Sequence, residues 1–291
     1  MTGSAPARRK AARHRQISAA IVYDFDGTLA RGNVQEHTLL PELREDKDRF
    51  WARVKREARK HDADEILTYM RLMVELSRQR QVPITRALLR KHGRETQLFD
   101  GVLQWFGRIN GYAAKRNLAL KHYVVSSGIL EMIKGCPASR HFAKIFGATF
   151  VHDRAGHATW PAIAINYTTK TQYLFRINKG VLNNWDNDGV NRWVPMEDRP
   201  LPFSRMIFIG DGDTDIPSMK MIHHQGGQAI AVFDPSRGNA IRSQEKIYRL
   251  ISEDRVRYVA PADYTEGSQL DVIVKGILGR IARDNGYRDP S

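Results

Sequence analysis

Residues 20–30 read Ala-Ile-Val-Tyr-Asp24-Phe25-Asp26-Gly27-Thr28-Leu29-Ala30. An apolar run of strand character ends in two carboxylates one residue apart, followed by a Gly-Thr turn. Alternation along a strand aims Asp24 and Asp26 the same way and Phe25 the other. Two carboxylates at a strand end make a hard-oxygen site suited to Mg²⁺, and a nucleophile and proton donor side by side. The same pattern is also an ordinary turn signal, so other segments must decide. Three do. The strand His122–Val125 runs into Ser126-Ser127-Gly128, whose hydroxyls and backbone N–H groups suit phosphate binding or a plain helix N-cap. Lys170 follows Thr168-Thr169 at the start of a helix; taken alone it reads as a solvated lysine. Met206–Ile209 runs into Gly210-Asp211-Gly212-Asp213-Thr214-Asp215, three alternating carboxylates that signal a cation. An EF-hand loop counted from Asp211 needs Glu at its twelfth position; Ile222 stands there.

These groups need a scaffold of strands with helices between them, and the chain has that pattern. Strands are expected at 17–23, Leu120–Val125, Arg205–Ile209 and Gln228–Phe233. Ile145–Val151 and Ala158–Ile165 form a pair around the turn at Asp153–Gly156. Helices are expected at Val102–Arg116, Thr171–Asn178, Ile216–His223 and Ser268–Ala282. Between Thr28 and Phe99 the apolar spacing turns helical, over Leu39–Lys60, Asp64–Arg80 and Thr85–Lys91. Asn183–Pro202 reads as a long loop. The fold class is α/β: a Rossmann-like doubly wound parallel sheet with an inserted α-helical cap. The expected division is a disordered basic arm at 1–16, a catalytic core at 17–30 and 99–291, and a cap at 31–98. Ligands in such sheets bind beyond the carboxyl ends of the strands, where all four segments lie.

Composition narrows the function. The chain has 291 residues, 42% hydrophobic and 27% charged, as globular proteins do. Its single cysteine, Cys136, excludes an internal disulfide and suggests a reducing, cytoplasmic setting. No apolar run approaches the ~20 residues of a membrane span. Against 32 Asp+Glu there are 46 Lys+Arg, a net charge of +14, which favours anionic ligands such as phosphate esters or nucleic acid. Much of that charge is interleaved with acids in helical stretches, a solvated face rather than a nucleic-acid surface.

The ordered motif set resembles the haloacid dehalogenase superfamily of phosphotransferases, over residues 20–235. The first motif is Asp24-Phe25-Asp26-Gly27-Thr28, the second Ser126, the third Lys170, the fourth Gly210–Asp215. The insert resembles the cap of the phosphoserine-phosphatase-like subgroup. The resemblance implies that Asp24 attacks phosphorus to form an aspartyl-phosphate and that Asp26 is acid and then base. It implies phosphate held by Ser126, Ser127, Gly128 and Lys170. It also implies Mg²⁺ at Asp24, the Asp26 backbone carbonyl and Asp211, with Asp215 completing the set by orienting Lys170 or metal waters. The expected substrate is a small phosphorylated metabolite. A phosphatase on nucleotides or nucleic-acid ends is the runner-up, and a non-catalytic regulatory binder of the same fold the third reading. One position departs from the subgroup. Where phosphoserine phosphatases carry a glutamate nine residues after the nucleophile, this chain has Asn33. Glu36 stands in for it only if the chain there is helical.

Overall fold

The computed structural model of the protein describes residues 16–212, 214–236, 245 and 248–288. The basic arm, apart from Gln16, and Asp213 lie outside the described residues. A seven-stranded sheet organises the rest, in the order β4-β3-β2-β1-β5-β6-β7. The strands are β1 (Ile17–Tyr23), β2 (Leu118–Ile129), β3 (Lys144–His152), β4 (Ala158–Ile163), β5 (Met206–Gly210), β6 (Gln228–Phe233) and β7 (Tyr258–Pro261). All neighbours pair in parallel except β4, which runs antiparallel on β3 at one edge. β1 sits between β2 and β5, so the chain reverses direction across the sheet beside it. That reversal is the crevice where such sheets bind ligands.

The central strands are continuous apolar runs because helices cover both faces. Along β1, Ile21 and Tyr23 face one buried cluster, and Ala20 and Val22 the other. The first cluster is closed by α6 (Val102–Ala114), through Trp105 and Phe106, and by the terminal helix α11 (Gln269–Asp284). The second is closed by Tyr173, Leu174 and Ile177 of α8 (Lys170–Lys179) and by Met219 and Ile222 of α10 (Ile216–His224).

The insertion between Ala30 and Leu98 holds α1 (Val34–His37), α2 (Leu39–Glu42), α3 (Lys47–His61), α4 (Glu65–Arg80) and α5 (Arg86–Arg94). Its two ends pair with each other, Ala30 with Leu98, and Arg31 N–H donates to the Gln97 carbonyl at 2.8 Å. The single helix expected over Leu39–Lys60 is two. Arg44 takes a left-handed φ of 53°, and the Asp46 carboxylate accepts from Arg49 N–H at 2.9 Å to start α3 afresh. Asp64 and Thr85 cap α4 and α5 in the same way. The apolar faces of these helices, including Leu40, Phe50, Val54 and Met73, join the same cluster that covers one face of the sheet. The insertion therefore has no separate core. Helix α5 packs against α7 (Leu130–Gly135), with the backbone of each close to a glycine of the other, Gly93 and Gly135.

Three further differences have local causes. The Ser126–Gly128 segment is not a turn; β2 runs on to Ile129, across a register shift against β3. β7 is four residues long and carries no periodic signal in the sequence. The Asn183–Pro202 loop contains a short α9 (Asn187–Asn191). It is fixed to α8 by the Arg176 guanidinium, which donates to the Asn183, Asn184 and Asp186 carbonyls, and by Lys179, which donates to those of Val190 and Arg192. No helix among the described residues is long and apolar enough to cross a membrane.

A buried ion pair ties α11 to α6. Asp271 accepts from Lys275 at 2.7 Å, Arg108 at 3.1 Å and Gly267 N–H at 3.0 Å. Burial alone would raise its carboxyl pKa, but these donors outweigh burial and hold it below the usual carboxylate range. The resulting stability is present above the unfolded carboxyl's pKa of about 4 and is lost as pH falls through the folded value. Asp271→Asn should therefore lower stability by roughly 1.5–3 kcal/mol at pH 7. Urea unfolding at pH 7 and pH 3 checks this: the difference from wild type should shrink in acid.

Candidate active site

Three adjacent strands deliver the site. Asp24 directly follows β1, Ser126 to Gly128 lie in the last turn of β2, and Asp211 directly follows β5. Asp24 N–H donates to the Ile209 carbonyl at 2.9 Å, which locks the end of β1 to β5. Behind Asp24 the Tyr23 hydroxyl accepts from the Trp105 indole N–H at 2.8 Å and donates to His122 Nδ1 at 2.9 Å. His122 Nε2 then donates to Asn110 at 3.1 Å. Burial lowers the imidazole pKa to about 3, so the ring stays neutral and the chain of donors holds. This network joins β1, β2 and α6 beneath the acidic residues.

Lys170, the first residue of α8, is 1% exposed. Its ammonium lies 2.7 Å from Asp215 and 3.0 Å from Asp24. Burial would push it down; Asp215 and Asp24 outweigh that and hold it above its ordinary range. Asp24 is pushed well above the carboxylate range, by burial first and by the Asp215 charge second, with Lys170 opposing. The solvated-lysine reading of position 170 is thus wrong on exposure alone.

Asp26 lies beyond the end of β1, so strand alternation does not place it, yet it lines the same cavity as Asp24. One of its oxygens accepts from Val34 N–H at 3.0 Å, at the start of α1. A Cβ on Gly128 would come within 2.8 Å of the other oxygen, so only glycine lets β2 approach so closely. Burial raises the Asp26 pKa to about 7, against the Val34 hydrogen bond that lowers it. Asp26 can therefore both hold and release a proton near neutral pH.

Gly128 N–H donates to Ser126 Oγ at 3.0 Å. That leaves the Ser126 hydroxyl hydrogen to donate, and Ser127 Oγ is buried without a hydrogen-bond partner. Gly27, at φ 74°, brings the first loop against Asp211; a Cβ there would sit 2.7 Å from the Asp211 carboxylate.

Oxygens of Asp24, Asp211 and Asp215 lie within 4.8 Å of one another. The Asp215 oxygen that does not face Lys170 is buried and unpartnered. Three clustered carboxylates with a single lysine against them, all donors being oxygen, fit a hard divalent cation. The Asp26 side chain is not part of that cluster.

A cavity of about 280 Å³ opens above these groups. Its far wall comes from the insertion and from the loop before α8: Asn33, Gln35, Trp51, Glu65, Tyr69 and Tyr167. Three polar contacts hold that wall down. Tyr69 donates to the Ser127 carbonyl at 2.8 Å, Asn166 to Asp64 at 2.7 Å and Tyr167 to Glu65 at 3.1 Å. Of this wall, sequence reasoning singled out Asn33 alone. The spacing of Glu65 and Tyr69, one turn apart on α4, was the available sign that they share a face. The chain at Glu36 is helical, but its carboxylate accepts from the Asn33 amide and the Trp51 indole. Glu36 is not among the lining residues.

The electrostatics predict opposite signs for two substitutions. Lys170→Met leaves Asp24 and Asp215 facing each other in a dry site and should cost about 3–5 kcal/mol of stability. Asp24→Asn removes one charge from a crowded acidic group and should leave the melting temperature unchanged or higher. Thermal unfolding of both variants in chelator-treated buffer checks the pair.

The comparisons agree with this geometry. A family model for haloacid dehalogenase-like hydrolases matches residues 21–220. An uncharacterized protein of Borreliella burgdorferi is 24% identical over 280 residues, covering 88% of this chain and 95% of its own. A HAD family hydrolase from Salmonella enterica serovar Typhi superposes with a TM-score of 0.57 at 15% identity, over 90% of this chain and 72% of that one. A substrate-bound phosphoserine phosphatase superposes with a TM-score of 0.53 at 16% identity, over 89% and 98%. The two solved structures share the fold, and the match over residues 21–220 carries all four motifs. The chain belongs to the haloacid dehalogenase-like hydrolases.

Proposed function

We propose that the protein is a phosphomonoesterase that works through an aspartyl-phosphate on Asp24 and takes a small phosphorylated metabolite. The observation that carries this reading is the buried Lys170 ammonium, 3.0 Å from Asp24 and 2.7 Å from Asp215, behind a cavity that Asp24 and Asp26 line. A carboxylate oxygen of Asp24 attacks phosphorus while the bond to the leaving oxygen breaks. Asp26, in its protonated form, gives its proton to that oxygen. The resulting Asp26 carboxylate takes a proton from the water that attacks the aspartyl-phosphate, which restores both residues. Ser126, Ser127 and Lys170 donate to the equatorial oxygens as charge spreads over them. Asp24, Asp211 and Asp215 would hold Mg²⁺, whose charge offsets the repulsion between the Asp24 carboxylate and an anionic phosphate. Asp215 also keeps Lys170 aimed at Asp24.

The cavity's size and the wall held over it favour a small metabolite over a nucleic-acid end. No lysine, arginine or histidine lines it among the described residues, so nothing there tracks a polyanionic backbone. That each position of the chemistry is filled argues against the regulatory binder, and turnover of a generic aryl phosphate decides between the two.

Asp24→Asn should lower kcat for p-nitrophenyl phosphate at least a thousandfold, in line with the loss of a nucleophile. Retention of a tenth of wild-type activity in a clean preparation would rule Asp24 out as nucleophile. Exhaustive chelation should abolish turnover and Mg²⁺ should restore it; full activity without metal would contradict the role given to Asp211.

Phosphoserine should be a poor substrate. Asn33 offers its ammonium an amide rather than a carboxylate, Glu36 is occupied, Glu65 already accepts from Tyr167, and no lining cation among the described residues receives its carboxylate. Leaving these charged groups short of hydrogen-bond partners costs about 2–3 kcal/mol, a loss in kcat/KM of roughly 30- to 150-fold relative to the best substrate. A metabolite panel measures it directly, and phosphoserine at its head would refute the inference from Asn33.

A further inference from the structure

The cavity contradicts the charge of the chain around it. The protein carries a net +14, yet the lining includes Asp24, Asp26, Asp211 and Glu65 and, among the described residues, no basic side chain. Three of those carboxylates stand beside Lys170, where a divalent cation would help balance them. Glu65 does not. It stands on the insertion side, where Tyr167 fixes its carboxylate by a hydrogen bond of 3.1 Å.

The surfaces beside Glu65 are aromatic. Trp51 and Tyr69 meet edge to face, with ring centroids 5.7 Å apart and planes at 66°, and both line the cavity. Neither ring is loose. The Trp51 indole N–H donates to Glu36 at 2.7 Å, and the Tyr69 hydroxyl donates to the Ser127 carbonyl at 2.8 Å. Both polar edges are thus tied down. Tyr167 adds a third ring and Ile66 an apolar side chain. Tyr69 is 1% exposed and backs Trp51, so the rings of Trp51 and Tyr167, with Glu65 on the same wall, are the surfaces that could meet an organic cation.

The chemistry of this wall selects the kind of cation. A primary ammonium brings three strongly hydrated donors and needs acceptors for each. Glu65 is the one carboxylate on this wall, and its oxygen already accepts from Tyr167. An alkylated ammonium has little or no hydrogen-bonding demand. Its methyl groups bury against ring faces, and its charge interacts with the rings and Glu65 together. An anionic substituent in the same place would face Glu65 with no partner.

We propose that this aromatic wall makes the enzyme selective for phosphate esters of alkylated amino alcohols, with the ammonium against Trp51, which Tyr69 backs, and Tyr167, and its charge met by Glu65. The proposal rests on the phosphomonoesterase reading above. Phosphocholine is the simplest probe. 3,3-Dimethylbutyl phosphate, which replaces its nitrogen with carbon, has the same shape without the charge.

The experiment compares kcat/KM for phosphocholine, 3,3-dimethylbutyl phosphate, 3-phosphoglycerate and p-nitrophenyl phosphate on the full-length, Mg²⁺-loaded enzyme. Phosphocholine should exceed its uncharged isostere at least tenfold and 3-phosphoglycerate by more. Glu65→Gln and Trp51→Leu should each reduce the preference for phosphocholine over the isostere three- to tenfold, mainly through KM. Trp51→Phe, which keeps a ring, should restore part of it even if the leucine variant folds poorly. Free choline should inhibit competitively, and 3,3-dimethylbutanol should inhibit more weakly. Equal turnover of phosphocholine and the isostere, or a preference for 3-phosphoglycerate, with p-nitrophenyl phosphate still hydrolysed, overturns the role of the aromatic wall and leaves the phosphatase reading standing. No hydrolysis of any of the four overturns both.

Discussion

The buried ammonium of Lys170 is the interaction on which the site depends. Asp24, Asp26, Asp211 and Asp215 converge at the ends of neighbouring strands, and one lysine is the nearest compensation the chain supplies. A dry cluster of this kind is costly, and the fold tolerates it because each member is fixed. Asp24 is held by the β1–β5 pairing, Asp26 by the first amide of α1, and Asp215 by the lysine itself. Pre-set charges of this sort need little rearrangement when a phosphoryl group arrives. The net negative charge left over is what makes a divalent cation a natural component of the site.

The insertion is bound to that chemistry in two distinct ways. Its apolar faces merge with the core that covers the sheet, so it has little freedom to swing as a separate body. Its contacts with the rim of the site are instead single hydrogen bonds, from Tyr69, Asn166 and Tyr167. Each is worth about 1 kcal/mol net, little beside the close packing of α5 on α7.

The parts of the structure legible in the sequence are those with strong local codes. Asp24, Asp26, Ser126, Lys170, Asp211 and Asp215 stand at strand ends or helix starts, and the structure brings them together. The buried strands announce themselves as apolar runs. What stayed hidden depends on tertiary context. The break at Arg44 is a left-handed residue inside an otherwise helical pattern. β7 is too short to show a period. The cavity wall combines Trp51, Tyr69 and Tyr167, residues from three separate elements that no spacing rule relates. The Ser126–Gly128 hydroxyls read as a turn, whereas β2 continues through them because Gly128 allows close packing against Asp26.

The contrast between the basic exterior and the acidic cavity assigns separate tasks to the two charge distributions. A net +14 attracts phosphate esters of every kind, and that attraction is long-ranged and screened by salt. It raises encounter rates without distinguishing one ester from another. Discrimination must come from groups that act within contact distance, after water is excluded. At that range the phosphate of any ester meets the same lysine, serines and aspartates. Only the opposite wall, where Glu65 stands among aromatic rings, meets the part that differs between substrates. On the proposed reading the insertion carries selectivity and the strand ends carry chemistry, and Asp26, held by the first residue of α1, is where the two are joined.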